Sequence, residues 1–158
     1  MSEEQATEPQ QTFEIQKIYL KDISFESPQS PAMFQEKWEP TTNLQIGTKH
    51  KSLAENVYEV VLSLTATITT NEKTAFLVEV EQAGIFTLAG FEDGALGHVL
   101  GSYCPNTLFP FAREVISDLT TKGGFPPLLL APVNFDSIYA QRQQETKQAD
   151  EGENETKH

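Results

Sequence analysis

The residues of this chain whose types could do chemistry are three histidines, one cysteine and two carboxylate pairs. His50 lies between two lysines in a polar segment, and His98 lies in a glycine-rich one. They are far apart in sequence, and neither falls in a recognisable catalytic motif. Cys104 precedes Pro105. A thiol becomes reactive beside a basic group or a helix N-terminus, so without one Cys104 reads as a buried structural residue. One cysteine and scattered histidines do not make a zinc set. Asp22 with Glu26, and Glu79 with Glu81, are pairs at strand spacing. General acid–base work would need one of them in an apolar pocket with a raised pKa, whereas alternation on a strand makes a solvated face. Gly84, Gly90, Gly94, Gly97 and Gly101 lack the spacing of a phosphate-binding loop. No catalytic residue, cofactor or metal is therefore expected. A small-molecule enzyme with its pocket between helices and sheet remains an alternative, and it would require a carboxylate of strongly raised pKa there.

The groups that could bind, rather than react, are more telling. The segment Tyr103-Cys104-Pro105-Asn106-Thr107-Leu108-Phe109-Pro110-Phe111-Ala112-Arg113-Glu114 is aromatic, apolar and interrupted by proline, and so is Ala131-Pro132-Val133-Asn134-Phe135-Asp136. The chain around them is acidic, with net charge -12 over 158 residues. Nucleic acid is an unsuitable partner for such a chain, because phosphates call for a basic face. Anionic membrane surfaces are disfavoured for the same reason, and basic partners are favoured. No apolar run reaches the roughly 20 residues that a membrane-spanning helix needs, so no membrane insertion is expected. The polar N-terminus lacks the pattern of a signal peptide, and a single cysteine fits a reducing compartment; a cytoplasmic location is the expectation.

The elements that position these groups follow from periodicity. Residues 1–12 and 144–158 are polar, each carries a charge of -3, and both are expected to be disordered acidic ends flanking one domain at 13–143. Phe13 to Glu26 alternates with a change of phase: Phe13 and Ile15 share one face, Ile18 and Leu20 the other, and Ile23 and Phe25 return, which implies bulges. Pro28 and Pro31 then stop regular pairing. A linking segment carries Phe34 and Trp38, and Leu44 and Ile46 suggest a short second strand. In the third strand Tyr58, Val60, Leu62, Leu64, Ala66 and Ile68 share a face, with Val61 an apolar exception on the other. Asn71-Glu72-Lys73 turns the chain into a fourth strand, Ala75 to Gln82, with Phe76, Val78 and Val80 inward and Leu77, Glu79 and Glu81 outward. Ala95 to Ser102 suggests a helical segment, which Pro105 and Pro110 would break or kink. Phe111, Ala112, Val115, Ile116 and Leu119 form the stripe of a helix ending at Gly123-Gly124. Asn134 caps a last helix in which Phe135, Ile138, Tyr139 and Arg142 share a face. Strands first and helices last give an α+β domain: a four-stranded antiparallel sheet with helices on one face.

Two features exceed a plain domain. Leu77 stands outward among acids, which suits docking of a basic partner with a small apolar contact. The linking segments are rich in large apolar residues, which suits a groove for an extended apolar peptide beside the sheet edge.

The chain closely resembles the SecB family of bacterial protein-export chaperones. The resemblance rests on Lys21-Asp22-Ile23-Ser24-Phe25-Glu26, Val57-Tyr58-Glu59-Val60-Val61-Leu62, Gly84-Ile85-Phe86, Tyr103 to Glu114, and Ala131 to Asp136, in that order. It implies a homotetramer built as a dimer of dimers. It also implies binding of unfolded secretory precursors without ATP or metal, and delivery to the SecA ATPase, whose zinc-containing C-terminal segment docks on the acidic sheet face. By position, the docking residues would be Asp22, Glu26, Leu77 and Glu79. Val78, Val80 and Gln82 would affect tetramer assembly. Trp38, Leu44, Phe109, Phe125, Leu128 and Tyr139 would line the precursor groove. Where the family often has Met-Ala-His-Cys, this chain has Leu96-Gly97-His98-Val99, and Gly97 would weaken that turn by roughly 1 kcal/mol against alanine. A chaperone of the same family with a non-export client, such as an antitoxin, is the nearer alternative.

Overall fold

The computed structural model describes residues 10–155. Most of the expected N-terminal arm, residues 1–9, lies outside the described residues. Four strands, β1 (Thr12–Glu26), β2 (Thr41–Ala54), β3 (Val57–Thr70) and β4 (Lys73–Ala89), form one antiparallel sheet in the order β1-β4-β3-β2. The helices pack on one face of it, which is the α+β architecture the alternation implied.

The central hairpin sets the register. Asn71 and Glu72 take φ of 51° and 63° between the paired Thr70 and Lys73. Two successive left-handed residues make the tight turn whose twist matches that of the strands it joins. Leu64 then faces Val80, Ala66 faces Val78 and Ile68 faces Phe76, so the apolar sets of β3 and β4 coincide on one face and are buried. Each such side chain contributes roughly 1.5–3 kcal/mol on burial. β4 runs seven residues past Gln82, because Ala83 to Thr87 continue to pair with both neighbours and Leu88 and Ala89 with β1. β2 is long rather than short. It pairs with β3 over nearly its whole length, and as an edge strand it has little apolar alternation to reveal it.

β1 contains two register shifts against β4, between Ile15 and Lys17 and between Leu20 and Asp22. These are the bulges that the change of phase implied. Their consequence differs from the simple alternation. Each bulge flips the phase, so Phe13, Ile15, Ile18, Leu20, Ile23 and Phe25 all end on the helix-side face. Phe13, Ile18 and Phe25 pack on the core, while Ile15, Leu20 and Ile23 stay about half exposed along the free edge.

The helical region is continuous where two prolines suggested a break. α1 (Asp93–His98) passes through one wide π turn, Val99–Tyr103, into α2 (Cys104–Lys122). Pro105 falls at the start of α2, where its fixed φ is already helical. Pro110 lies inside the helix on its exposed side, so the carbonyl of exposed Asn106, deprived of its donor, faces water. Leu108, Ala112 and Ile116 are the buried stripe of α2, and Phe111 is not part of it, at 47% exposed. Gly84 lets the helix approach the sheet: a Cβ there would lie 3.1 Å from Leu108 Cδ2 and 2.8 Å from the Phe86 ring. Gly123 ends α2 and Gly124 takes φ of +88°, as the Gly-Gly pair implied.

α3 (Phe135–Glu155) begins where Asn134 Oδ1 accepts the backbone N–H of Ser137 at 3.0 Å. Phe135 is buried, and Ile138, Tyr139 and Arg142 are half-buried on the same face. Arg142 donates to Thr48 Oγ1 at 2.7 Å and to the Ile46 carbonyl at 2.9 Å, tying α3 to β2. The helix continues to Glu155, so most of the stretch expected to be a disordered tail from residue 144 is helical.

Candidate functional site

The face of the sheet without helices carries the charge. The pairing registers place its side chains in rows across the strands. Glu26, Leu77, Thr67 and Asn43 form one row, and Ser24, Glu79, Thr65 and Gln45 the next. Asp22, Glu81, Ser63 and Gly47 follow, then Tyr19, Ala83, Val61 and Lys49, then Lys17, Ile85, Glu59 and Lys51. Asp22, Glu26, Leu77 and Glu79 thus fall within three successive rows on adjacent strands. Glu79 and both β1 acids are exposed, and Leu77 is half-buried between them.

Beyond the acids lies a network the sequence did not disclose. Glu59 is buried at 8% exposure; it accepts the Tyr19 hydroxyl, and Lys21 Nζ lies at 2.8 Å, with Lys51 Nζ at 3.9 Å. The lysine and tyrosine donors hold its carboxyl below the ordinary value. Burial, followed by the hydrogen bond to Glu59, pushes the Tyr19 hydroxyl up to about 12, so it stays a donor. Lys49 reaches Glu81 at 3.8 Å. The lysine side chains border Val61, which is why this apolar exception is buried although no helix covers it. The only signal for this network was Val61 itself, an outward apolar residue that needed cover.

Val78, Val80 and Gln82 face the other way. Each is at most 3% exposed, so none offers surface to a second chain. Gln82 Nε2 donates to the Tyr19 carbonyl at 3.0 Å, beside the second bulge of β1.

The apolar residues assigned to a groove divide into two places. Trp38, Phe125 and Leu128 meet near one end of the sheet. Phe125 packs at a tilt 5.6 Å from Trp38, 5.1 Å from Phe34 and 4.8 Å from Phe76, measured between ring centroids. A cleft of about 80 Å³ opens among Trp38, Thr42, Ile68, Phe76, Pro126 and Leu128. Trp38 is held there because Thr70 Oγ1 donates to the Lys37 carbonyl and accepts the Glu39 N–H, both at 3.0 Å. Leu128 is held by its N–H donating to Thr120 Oγ1 at 3.0 Å. Leu44 follows Thr42 on the same face of β2. Phe109 and Tyr139 sit apart from this cleft. Phe109 is buried, with its ring 5.8 Å from Phe135, and Tyr139 lies over Gly101 with its ring 5.6 Å from His98. Phe34 is 52% exposed beside the cleft, and an unpatterned loop gave no reason to place it there.

The reactive types are placed as follows. His50 is exposed on edge strand β2, 48 residues from His98 and 54 from Cys104 in sequence. His98 Nε2 and Asp136 Oδ1 are 2.8 Å apart, and Ser102 donates to the same oxygen. The Ser102 hydroxyl, then His98, hold the Asp136 carboxyl below its ordinary value. Here the carboxylate binds both partners and nothing activates the hydroxyl, so the trio joins α3 to the π turn rather than forming a nucleophile. Cys104 is fully buried, and burial pushes its thiol up to about 12. Among the described residues no group of three or more His, Cys, Asp or Glu side chains could hold a metal ion, and no helix is long and apolar enough to cross a membrane.

Comparison with known proteins gives these features a family. The family described as "Preprotein translocase subunit SecB" matches residues 5–146. The protein-export protein SecB of Nitrosococcus oceani is 63% identical over 142 residues, covering 89% of this chain and 87% of its own. That of Methylococcus capsulatus is 56% identical over 148 residues, covering 94% and 95%. A solved structure with the same fold is the Mycobacterium tuberculosis Rv1957 SecB-like chaperone, in complex with a ChAD peptide from the Rv1956 HigA1 antitoxin. It has a TM-score of 0.63 at 19% identity, over 77% of this chain and 90% of that one. With its sheet, its helices and nearly its whole length accounted for, this chain belongs to the SecB family of protein-export chaperones.

Proposed function

We propose that this chaperone binds unfolded secretory precursors, keeps them competent for translocation and hands them to the SecA ATPase. The observation that carries this reading is the apolar cleft of Trp38, Phe76, Pro126 and Leu128 beside β2, an edge strand with β3 as its one partner in the sheet of the described residues. An unpaired strand edge offers backbone hydrogen bonds to an extended chain, and the cleft offers burial to its apolar side chains at roughly 25 cal/mol per Å². A folded client presents neither an extended backbone nor apolar segments, so selection is for what has not yet folded.

Assembly belongs to the same reading. Half-exposed Ile15, Leu20 and Ile23 on the free edge of β1, with exposed Phe111 and Leu129 on the helix side, are apolar surface that further copies would cover. A homotetramer, a dimer of dimers, would let one long client occupy several clefts at once, and effective concentration would make weak contacts into tight capture. Val78, Val80 and Gln82 would then influence assembly by fixing the helices above them. The acidic rows around Leu77 suit the zinc-containing C-terminal segment of SecA. Binding and handover of this kind need neither ATP nor catalysis by this chain, and they suit a cytoplasmic protein. The extensive identity with export chaperones favours precursors over an antitoxin client.

A refolding assay tests the reading. A slowly folding precursor diluted from denaturant should stop refolding when this protein is present in equimolar tetramer. The Trp38→Ala, Leu128→Ser double variant should lose at least tenfold in that arrest while keeping its circular dichroism. Refolding at an unchanged rate beside the unaltered protein would contradict the proposal.

A further inference from the structure

We propose that the lysine end of the open sheet face is a second contact for the partner that docks on its acidic end. It would take an acidic stretch of the same polypeptide. This rests on the reading of the acidic rows as a docking site for a basic segment.

The face is polarised along the strands. At one end Glu26, Glu79, Glu81 and Asp22 occupy three successive rows, and Lys49 is the cation in contact with them. At the other end Lys21 and Lys51 lie 2.8 and 3.9 Å from the buried Glu59, Lys17 shares its row, and Lys49 stands one row nearer the acids. Glu14, one row further, limits the field on that side. Four of the chain's 11 basic residues thus collect in one corner of a molecule with net charge -12. Glu59 neutralises one of them and Glu81, 3.8 Å from Lys49, offsets a second, while exposed Lys17 and Lys51 keep their ammonium groups in water. This end cannot serve the basic segment that suits the acidic rows, since like charges would oppose it; its complement is an anion.

The spacing defines the partner. Glu79 at the heart of the acidic rows and Ala83 among the lysine rows are four residues apart on β4, about 13 Å at roughly 3.3 Å per residue. An extended segment running along the strands would therefore present cationic residues with an apolar one, and then anionic residues about four positions away. The two contacts would share one chain, so the second would tighten the first and fix its direction. A partner with only the basic stretch would bind, but with weaker affinity and no preferred polarity.

Fluorescence anisotropy with synthetic peptides on the full-length protein tests this. One probe carries a Lys/Arg/Leu block alone. Two others add a Glu block four residues away, one on each side. At low salt one bipolar probe should bind about tenfold tighter than the basic block, and the gain should fade as salt screens it. Lys17→Glu with Lys51→Glu should erase that gain and leave the basic block within twofold of its original affinity. Both lysines are exposed, and the milder Lys17→Ser, Lys51→Ser pair should give an intermediate loss. A bipolar probe no tighter than the basic block, or a gain that survives both double variants, would overturn the inference while the acidic docking site stands. A basic block that fails to bind, or binds regardless of Glu79→Lys, would overturn the acidic site and this inference with it.

Discussion

Single residues divide sharply here between those that hold the sheet and those exposed on its open face. Glu79 is exposed and makes no contact that the fold depends on. Glu79→Lys should therefore impair SecA docking by at least tenfold while leaving the tetramer and precursor binding intact, as read by calorimetry and light scattering. A well-folded Glu79→Lys tetramer that lost precursor binding instead would remove Glu79 from the docking face. Glu59 is the opposite case. Its carboxylate is buried under Lys21 and Tyr19, and its pKa lies below the ordinary 4.5. A carboxyl whose folded value is depressed adds stability above its unfolded value, and that stability is lost as pH falls through the folded value. Glu59→Gln should thus cost about 1–3 kcal/mol at neutral pH, from charge-assisted hydrogen bonds lost in a buried setting. Urea titrations should show that difference narrowing below pH 4.5, and a pH-independent difference would mean that the charge is not what Glu59 contributes. Cys104, with a thiol pushed up to about 12, should resist iodoacetamide at pH 8 in the native protein and react on unfolding.

At the scale of elements, alternation revealed β3 and the start of β4, because both are central strands with one face buried. β2 showed itself only at Leu44 and Ile46. An edge strand exposes most of its side chains, so its pairing with β3 leaves no hydrophobic period to read. In β1 the phase changes signalled bulges, yet only the register showed that two bulges restore one apolar face. The prolines misled for a physical reason: Pro105 falls in the first turn of α2, directly after the π turn, and Pro110 is exposed, so neither stops the helix. The π turn carries the join to α3. A Cβ on Gly101 would lie 2.5 Å from Tyr139 Cδ2, against 3.1 Å from the Tyr139 hydroxyl for Gly97. Gly101→Ala should therefore displace α3 and cost about 1–3 kcal/mol by overpacking, whereas Gly97→Ala should be nearly neutral, since its helical gain of roughly 1 kcal/mol offsets a tight contact. Thermal unfolding of the two variants checks this, and equal effects would place the tight join elsewhere.

For the whole molecule, the acidic patch proposed for docking was legible as a surface, because strand parity alone puts Leu77 and Glu79 outward, and the register then brings Asp22 and Glu26 beside them. The groove was half legible. Aromatics in loops announce burial without saying against what, and the fold sends Trp38 to the cleft while it buries Phe125 against Trp38 and Phe109 against Phe135. The lysine end was not legible, because it joins residues from two edge strands through the buried Glu59 of a third. All of these surfaces serve one central claim: that several copies of this chain together hold one unfolded polypeptide. Multi-angle light scattering on the protein mixed with a labelled secretory precursor, once unfolded and once prefolded, tests it most directly. The account expects a tetramer of about 70 kDa, from four chains of 17.6 kDa, that gains the mass of the unfolded precursor and ignores the folded one. A monomer, or a tetramer that takes up neither form, would contradict it.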